Sequence, residues 1–376
     1  MNDEIKQWAL KIFEKIDHKL EVQVVRVGEK IPYIPNEMTG LYEEDKGVTD
    51  PVWWTNGFWA GMLWQMYHAT GKTAYKETAE INEVRLDKAF DQYTGLHHDV
   101  GFMWLHTAVA NYRLTENERS KARGLHAAHL LAGRYNPRGG FIRSWNRDRS
   151  GWVIIDSMLN IPLLYWAEEA IGDPRFRYMA EDHADKVMNH IVRPDGSVNH
   201  IGVFDPTNGE LVETPAGQGY ASGSAWSRGQ SWAIYGFALS YLHTGKKEYL
   251  ETAKKVAHYF IAEVSKTDWV PVVDFRSPKN PVMIDTSAGL CAACGLLEIA
   301  KHVDDLEKDL YTDAAINILK ATEANYAIWD EEKDGLIDCA TGSYHDEPWT
   351  EVPIIYSDYY FVEAILRLLD KDFLIW

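Results

Sequence analysis

Asp156 follows the β-branched run Val153-Ile154-Ile155 and heads the apolar stretch Ser157-Met158-Leu159-Asn160-Ile161-Pro162-Leu163-Leu164. A carboxylate at such a point can cap the free amides of a helix. With apolar neighbours on both sides it is also desolvated, which raises its pKa as a general acid requires. A second carboxylate, Asp99, follows His97-His98 before another apolar segment. Two aspartates at helix starts are either two caps or an acid/base pair. The helix N-terminus favours the anion, so an acid there needs burial to offset that field.

Other polar residues are weighed in the same way. Arg228 stands in Trp226-Ser-Arg-Gly-Gln-Ser-Trp232. A solvent salt bridge is the plain reading, but an arginine between two tryptophans in an acidic chain fits a carboxylate-binding group better. His97-His98-Asp99 lacks a further ligand cluster at H-x-x-x-H spacing, so no metal is expected. Gly217-Gln-Gly-Tyr-Ala-Ser-Gly follows no clear strand and ends without Lys-Ser/Thr; it is a flexible loop and not a phosphate cradle. Cys291 and Cys294 form a C-x-x-C inside a helical pattern without a partner pair, so they read as small packing residues. No cofactor is expected.

A net charge of −18 argues against nucleic acid and anionic membrane surfaces. No stretch approaches the roughly 18 apolar residues of a membrane span. The first residues lack a basic region followed by an apolar one, and three cysteines make no disulfide framework. A cytoplasmic protein, monomer or homodimer, is expected. No linker or composition shift divides the chain, so residues 1–376 are expected to form one domain with one large core.

These residues need elements to hold them. Apolar residues recur at i, i+3, i+4 and i+7. The pattern predicts twelve helices, near 3–19, 57–70, 73–92, 100–114, 116–133, 157–171, 174–192, 227–244, 247–264, 286–302, 306–328 and 357–370. Pro162 either kinks the sixth or marks where its regular part begins. Short turns follow the even-numbered helices, at Gly71-Lys72, Thr115, Gly172-Asp173, Gly245-Lys246 and Val303 to Asp305. Longer connections follow most odd-numbered ones: 20–56, 134–156, 193–226, 265–285 and 329–356, with 93–99 short but carrying His97-His98-Asp99. Several hairpins also resemble one another, with Thr-Gly-Lys and a following tyrosine at both Thr70-Gly-Lys72 and Thr244-Gly-Lys246. Repeated helix pairs mean a solenoid or a closed ring. Without polar capping repeats, an all-α, six-hairpin (α/α)6 barrel is expected over an open superhelix.

Such a ring gathers the odd-to-even connections and the N-termini of the even, inner helices on one face. There stand Trp54-Thr55-Asn56, His98-Asp99, Asp156, Trp226-Ser227-Arg228, Asp285-Thr286 and Ser357-Asp358. Capping accounts for Ser, Thr, Asp and Asn but not for Trp, His and Arg. A mouth rich in carboxylates, aromatics and histidines suits a saccharide. Trp53, Trp54, Trp145 and Trp226 fall in loops or at helix starts and are assigned to that mouth.

Four segments, Trp54-Thr-Asn-Gly-Phe-Trp59, Leu96-His-His-Asp-Val-Gly-Phe102, Ile154-Ile-Asp-Ser-Met-Leu-Asn-Ile-Pro-Leu-Leu164 and Ser224-Ala-Trp-Ser-Arg-Gly-Gln-Ser-Trp232, together resemble the unsaturated glucuronyl hydrolases of glycoside hydrolase family 88. The resemblance runs to Ser357-Asp-Tyr-Tyr-Phe-Val-Glu-Ala and implies an (α/α)6 barrel. It implies hydration of the C4=C5 vinyl ether of an unsaturated uronate at the non-reducing end of lyase-generated oligosaccharides, glycosaminoglycan-type or related. Asp156 matches the acid/base and Asp99 the second essential carboxylate. Trp54, His98, Trp145, His200, Gln218, Arg228 and Trp232 match pocket residues; His200 and Gln218 are singled out by the resemblance alone. In Ser343-Tyr-His-Asp-Glu347 acid stands where family members preferring sulfated fragments tend to place Ser and Lys, which argues against 6-sulfate recognition there.

The alternatives are an unsaturated rhamnogalacturonyl hydrolase, a conventional inverting glycosidase using Asp99 and Asp156, a sugar epimerase and a non-catalytic saccharide-binding protein. The His-His-Asp and Leu159-Asn-Ile-Pro-Leu163 segments favour the glucuronyl branch. An epimerase would need two catalytic histidines on inner helices, where only His98 stands, and a binding protein leaves Asp156 unexplained.

Overall fold

The computed structural model describes residues 3–346, 348 and 350–376. Twelve helices carry the architecture. They are α1 (Asp3–Val27), α2 (Phe58–Thr70), α3 (Thr73–Arg85), α4 (100–115), α5 (Glu118–Ala132), α6 (Pro162–Ile171), α7 (Arg175–His190), α8 (Ser227–Thr244), α9 (Lys247–Val264), α10 (Thr286–Ala300), α11 (Asp305–Tyr326) and α12 (Ile355–Leu368). The even-numbered helices form the inner ring. Neighbours α8 and α10, α10 and α12, and α12 and α2 pack together, and the last of these contacts closes the barrel. An open superhelix is excluded by it.

Burial separates the two rings as their sequences require. All residues of α10 and α12 are buried, whereas α7 and α9 bury one face and expose the other. A helix that is apolar all round belongs inside, and an amphipathic one belongs at the rim. Gly71, Gly172 and Gly245 end three inner helices in the left-handed conformation, with φ of 73°, 69° and 70°. That conformation favours glycine, and it lets each chain reverse tightly into its outer partner.

Several boundaries differ from the sequence expectation for identifiable reasons. α1 runs to Val27 and not to residue 19, because Lys19 and Gln23 interrupt its apolar stripe yet are buried. Lys19 donates to the carbonyls of Ile328 and Asp330, and Gln23 Nε2 donates to Gly335 O at 3.2 Å. α3 stops at Arg85, and a separate short helix covers Asp87–Asp91. A π-helical turn, Leu105–Val109, interrupts α4 between Val100–Trp104 and Ala110–Thr115. Pro162 opens α6 at its first position, preceded by a 3-10 turn, Ile155–Leu159. Proline is tolerated there because its missing N–H would have been unpaired anyway.

The long connections add two small antiparallel sheets. β1 (Tyr135–Asn136) pairs with β2 (Phe141–Ile142), and β3 (Trp152–Ile154) with β4 (Ile201–Phe204), which pairs with β5 (Leu211–Glu213). Within the core, Trp376 is fully buried, stacks parallel to Tyr360 and donates its indole N–H to Glu363 at 3.0 Å.

Candidate active site

β3 and β4 fix the position of Asp156. Ile154 faces Ile201 in the register, and Ile155 N donates to His200 O at 3.0 Å, so Asp156 leaves the sheet beside His200. Ser144 ties in a third segment. It takes the amide of Ile154 on its Oγ at 2.8 Å, and its carbonyl takes the amide of His98 at 3.1 Å. Three connections distant in sequence thereby meet at one edge of the barrel mouth.

Neither aspartate is spent as a helix cap. Asp156 lies inside the 3-10 turn, and Asp99, at the N-cap position of α4, makes no side-chain cap bond. Asp99 accepts from Asn160 Nδ2 at 3.0 Å, and its other oxygen lies 3.0 Å from His97 Nδ1. His98 Nε2 stands between the two carboxylates, 3.5 Å from Asp99 Oδ1 and 3.5 Å from Asp156 Oδ1. Asp156 Oδ1 is buried and has no hydrogen-bond partner among the described residues.

The two environments push the carboxyls apart. Burial, and then the negative charge of Asp99, raise Asp156 well above the usual carboxylate range, against the opposing pull of Arg228. Burial opposes ionisation of Asp99 too, but His98, His97 and Asn160 outweigh it and hold Asp99 down to about 2. Burial lowers His98 to about 4 and His200 to about 3, so both rings are neutral near neutrality. A carboxyl pushed toward its protonated form beside one held ionised is the arrangement from which acid and base roles are read.

A cavity of about 230 Å³ opens at this pair. Of the residues predicted from sequence, Trp54, Asp99, Trp145, Asp156, Gln218, Arg228 and Trp232 line it. His98 and His200 stand close behind. The amide of Gln218 donates to His200 Nδ1 at 2.9 Å, leaving Nε2 to carry the proton, and that Nε2 has no partner among the described residues. Trp145 stacks on Trp152 with centroids 5.5 Å apart, and Arg149 lies 4.4 Å over the Trp145 ring.

Arg228 is at the cavity wall but is only 1% exposed. Its Nη1 binds Asp285 Oδ2 at 3.1 Å and Thr341 O at 2.6 Å, and Nη2 binds Gly342 O. The guanidinium lies 4.6 Å from the Trp226 ring and 5.2 Å from Tyr356. It thus holds the last long connection in place, leaving only Nε without a partner among the described residues. Gln218 Nε2 donates to the same Gly342 O at 2.6 Å. Tyr344 N donates to Gln218 O at 2.9 Å, while Glu347 of that connection lies outside the described residues.

Sequence reasoning gave Asn160 no role. Its Nδ2 donates to Asp99 Oδ1 and, at 3.2 Å, to Asp156 O, while its Oδ1 accepts the amide of Phe102 at 2.8 Å. The available signal was its spacing, four residues after Asp156. His97, Ile154, Trp53 and Trp226 also line the cavity. Ligand atoms of His97, His98 and Asp99 lie within 4.8 Å of one another, the one grouping among the described residues compact enough for a metal ion.

Residues 33–241, more than half the chain, match the model of Glycosyl Hydrolase Family 88. The chain belongs to glycoside hydrolase family 88. The family 88 relative from Bacillus sp. (strain GL1), an unsaturated glucuronyl hydrolase, is 38% identical over 91% of this chain and 92% of its own. An unsaturated chondroitin disaccharide hydrolase from Streptococcus pyogenes serotype M1 is 33% identical over 94% of this chain and 91% of its own. Among solved structures, the unsaturated glucuronyl hydrolase of Streptococcus agalactiae superposes with a TM-score of 0.90 at 30% identity, covering 100% of this chain and 94% of that one. As a member of this family the protein is a glycoside hydrolase, and the barrel expected from its helix pattern is the fold of its relatives.

Proposed function

We propose that this hydrolase removes a 4,5-unsaturated uronate from the non-reducing end of glycosaminoglycan-type oligosaccharides by hydrating the C4=C5 vinyl ether. The observation that carries the reading is the pair of unequal carboxyls at the aromatic cavity. Asp156, whose protonated form is favoured by burial and by Asp99, gives its proton to C4, and positive charge develops at C5 and the ring oxygen. Water adds at C5 and passes a proton back to the Asp156 carboxylate. The resulting hemiketal opens to a 5-keto uronate, and the anomeric carbon, now a hemiacetal, releases the remaining saccharide as an alcohol.

Asp99, ionised down to about 2, faces the developing positive charge and accepts from ring hydroxyls. The His200 Nε2–H and the indole N–H groups of Trp53 and Trp226, unpartnered among the described residues, supply donors for a uronate's oxygens. Trp54, Trp145 and Trp232 offer ring faces to its C–H surface. About 230 Å³ is below the roughly 300–1,000 Å³ of sites that enclose a drug-sized ligand, which suits one terminal sugar ring. No helix among the described residues is long and apolar enough to cross a membrane, and the charge of −18 is unsuited to nucleic acid.

The experiment compares an unsaturated uronide with its saturated twin of identical linkage. Only the unsaturated one is expected to be cleaved, with loss of its ultraviolet absorbance and, in heavy water, early product carrying deuterium at C4. Asp156→Asn should bind substrate while losing most turnover, since a general acid/base contributes roughly 10²–10⁴-fold. Similar cleavage of both twins overturns hydration in favour of a conventional inverting glycosidase.

A further inference from the structure

A second and larger cavity, about 670 Å³, lies behind one wall of the site. Helix α5, the segment leading to His97, and the connection between β2 and β3 bound it. That connection serves both cavities: Trp145 lines the catalytic one, while Arg143, Asn146 and Arg147 line the other. His97 lines both and reaches Asp99 at 3.0 Å.

The electrostatics of the second cavity run against those of the chain. Acidic residues outnumber basic ones, 56 to 38, yet three arginines and no carboxylate line this groove. Arg134 uses its donors on the connection itself. It binds the carbonyls of Arg143, Ser144 and Trp145 and the Asn146 Oδ1, each at 2.9 Å. Arg143 is half-buried and Arg147 exposed, and neither side chain hydrogen-bonds or pairs with any described residue. Burial, and then the charge of Arg143, lower Arg134 to about 10. Like charges thus face one groove with no carboxylate in its lining, Asp99 alone opposing them at Arg134, a concentration of positive field that an anion relieves.

We propose that this groove is a second ligand site, in which Arg143 and Arg147 bind the sulfate or carboxylate of an anionic saccharide. Planar guanidinium groups match such oxyanions in geometry as well as charge. A free inorganic oxyanion has the same chemistry. That the anion arrives on a saccharide rests on the function proposed above; that the groove binds an oxyanion does not. An occupant there bridges the backbone that Arg134 clamps, so it steadies Trp145 on the catalytic side.

Calorimetric titration with sodium sulfate at constant ionic strength tests the site without relying on turnover. Wild-type protein should bind sulfate saturably, and Arg143→Gln/Arg147→Gln should bind it at least about tenfold more weakly. In the absence of sulfate, the double variant should hydrolyse an unsaturated uronide with a neutral leaving sugar within about twofold of wild type. Arg147→Glu, at an exposed position, should weaken sulfate binding threefold or more by itself. A saturated, sulfated disaccharide that binds more tightly than sulfate, with the excess lost in the double variant, identifies the saccharide as the ligand. Equal affinities identify the free oxyanion and overturn the saccharide assignment. Absence of sulfate binding, or equal binding to wild type and both variants, overturns the site itself. Sulfate binding with no turnover of unsaturated uronides would sink the catalytic reading and leave the groove standing.

Discussion

Asn160→Ala tests whether the acid pair is built by one neutral side chain. The substitution removes the amide donor from buried Asp99 and leaves the Phe102 amide without its acceptor. A hydrogen bond to a charged group contributes about 1.5–3 kcal/mol, and an orphaned buried donor costs about 1–3 kcal/mol. The expected loss is therefore about 2.5–6 kcal/mol. At about 2.1 cal/mol/K of unfolding entropy per residue, the 376 residues give about 0.8 kcal/mol/K. Thermal unfolding should accordingly fall by roughly 3–8 °C. Asp99 should also titrate higher, and kcat should drop about a hundredfold if the pair moves by about 1 Å. The assay pairs calorimetric unfolding with kcat/KM on an unsaturated disaccharide. Gly101→Ala should behave alike, because a Cβ there would stand 2.4 Å from Asn160 Cα and 2.6 Å from its Oδ1. A Tm within 1 °C of wild type together with unchanged kcat/KM for Asn160→Ala would refute the reasoning.

Asp99→Asn removes the charge that, after burial, raises Asp156. The folded pKa of Asp156 should fall, so the alkaline limb of the kcat/KM profile should move to lower pH; movement upward would contradict the acid assignment. Asp156→Asn should raise Tm. A carboxyl whose folded pKa is raised contributes stability at low pH and loses it as pH climbs above the unfolded value, so at pH 7 its replacement should stabilise by about 0.5–2 kcal/mol. Equal Tm for the variant and wild type at pH 7 would show that the cost is absent. Arg228→Ala leaves Asp285 buried without its cation, so destabilisation of about 3–5 kcal/mol should accompany any rise in KM. A rise in KM with undiminished Tm would mean that Arg228 serves the substrate alone.

The ring was legible in the sequence because short and long connections alternate between the periodic helices and the hairpins repeat, and α8 and α9 match the expected spans 227–244 and 247–264. Periodicity failed where a polar side chain was buried by a distant carbonyl, as at Lys19 and Gln23. It was also silent on the π-helical turn in α4 and on the strands of two to four residues, which are too short to display a period. The carboxylates and tryptophans were visible as types that capping and packing did not explain. Asn160 was not, because its importance lies in reaching two backbones and a carboxylate at once. Arg228 illustrates the reverse. A carboxylate partner suited its flanking residues, but the sequence offered no means of seeing that Asp285 and the 341–342 carbonyls already occupy its donors.

Closure of α12 onto α2 also governs how this chain is made. The contact joins segments separated by almost the whole sequence. Contacts of such separation pay their loop entropy before any packing rewards them. During synthesis the hairpins can form one after another as they emerge, but Trp54 and Arg228 of the cavity lining lack the ring of Tyr356 behind them until α12 has left the ribosome. Tyr356 and the carbonyls of Thr341 and Gly342, which frame Arg228, arrive in that same final segment. A nascent chain therefore carries Asp99 and Asp156 long before it carries a site, and binding competence should appear as one late step.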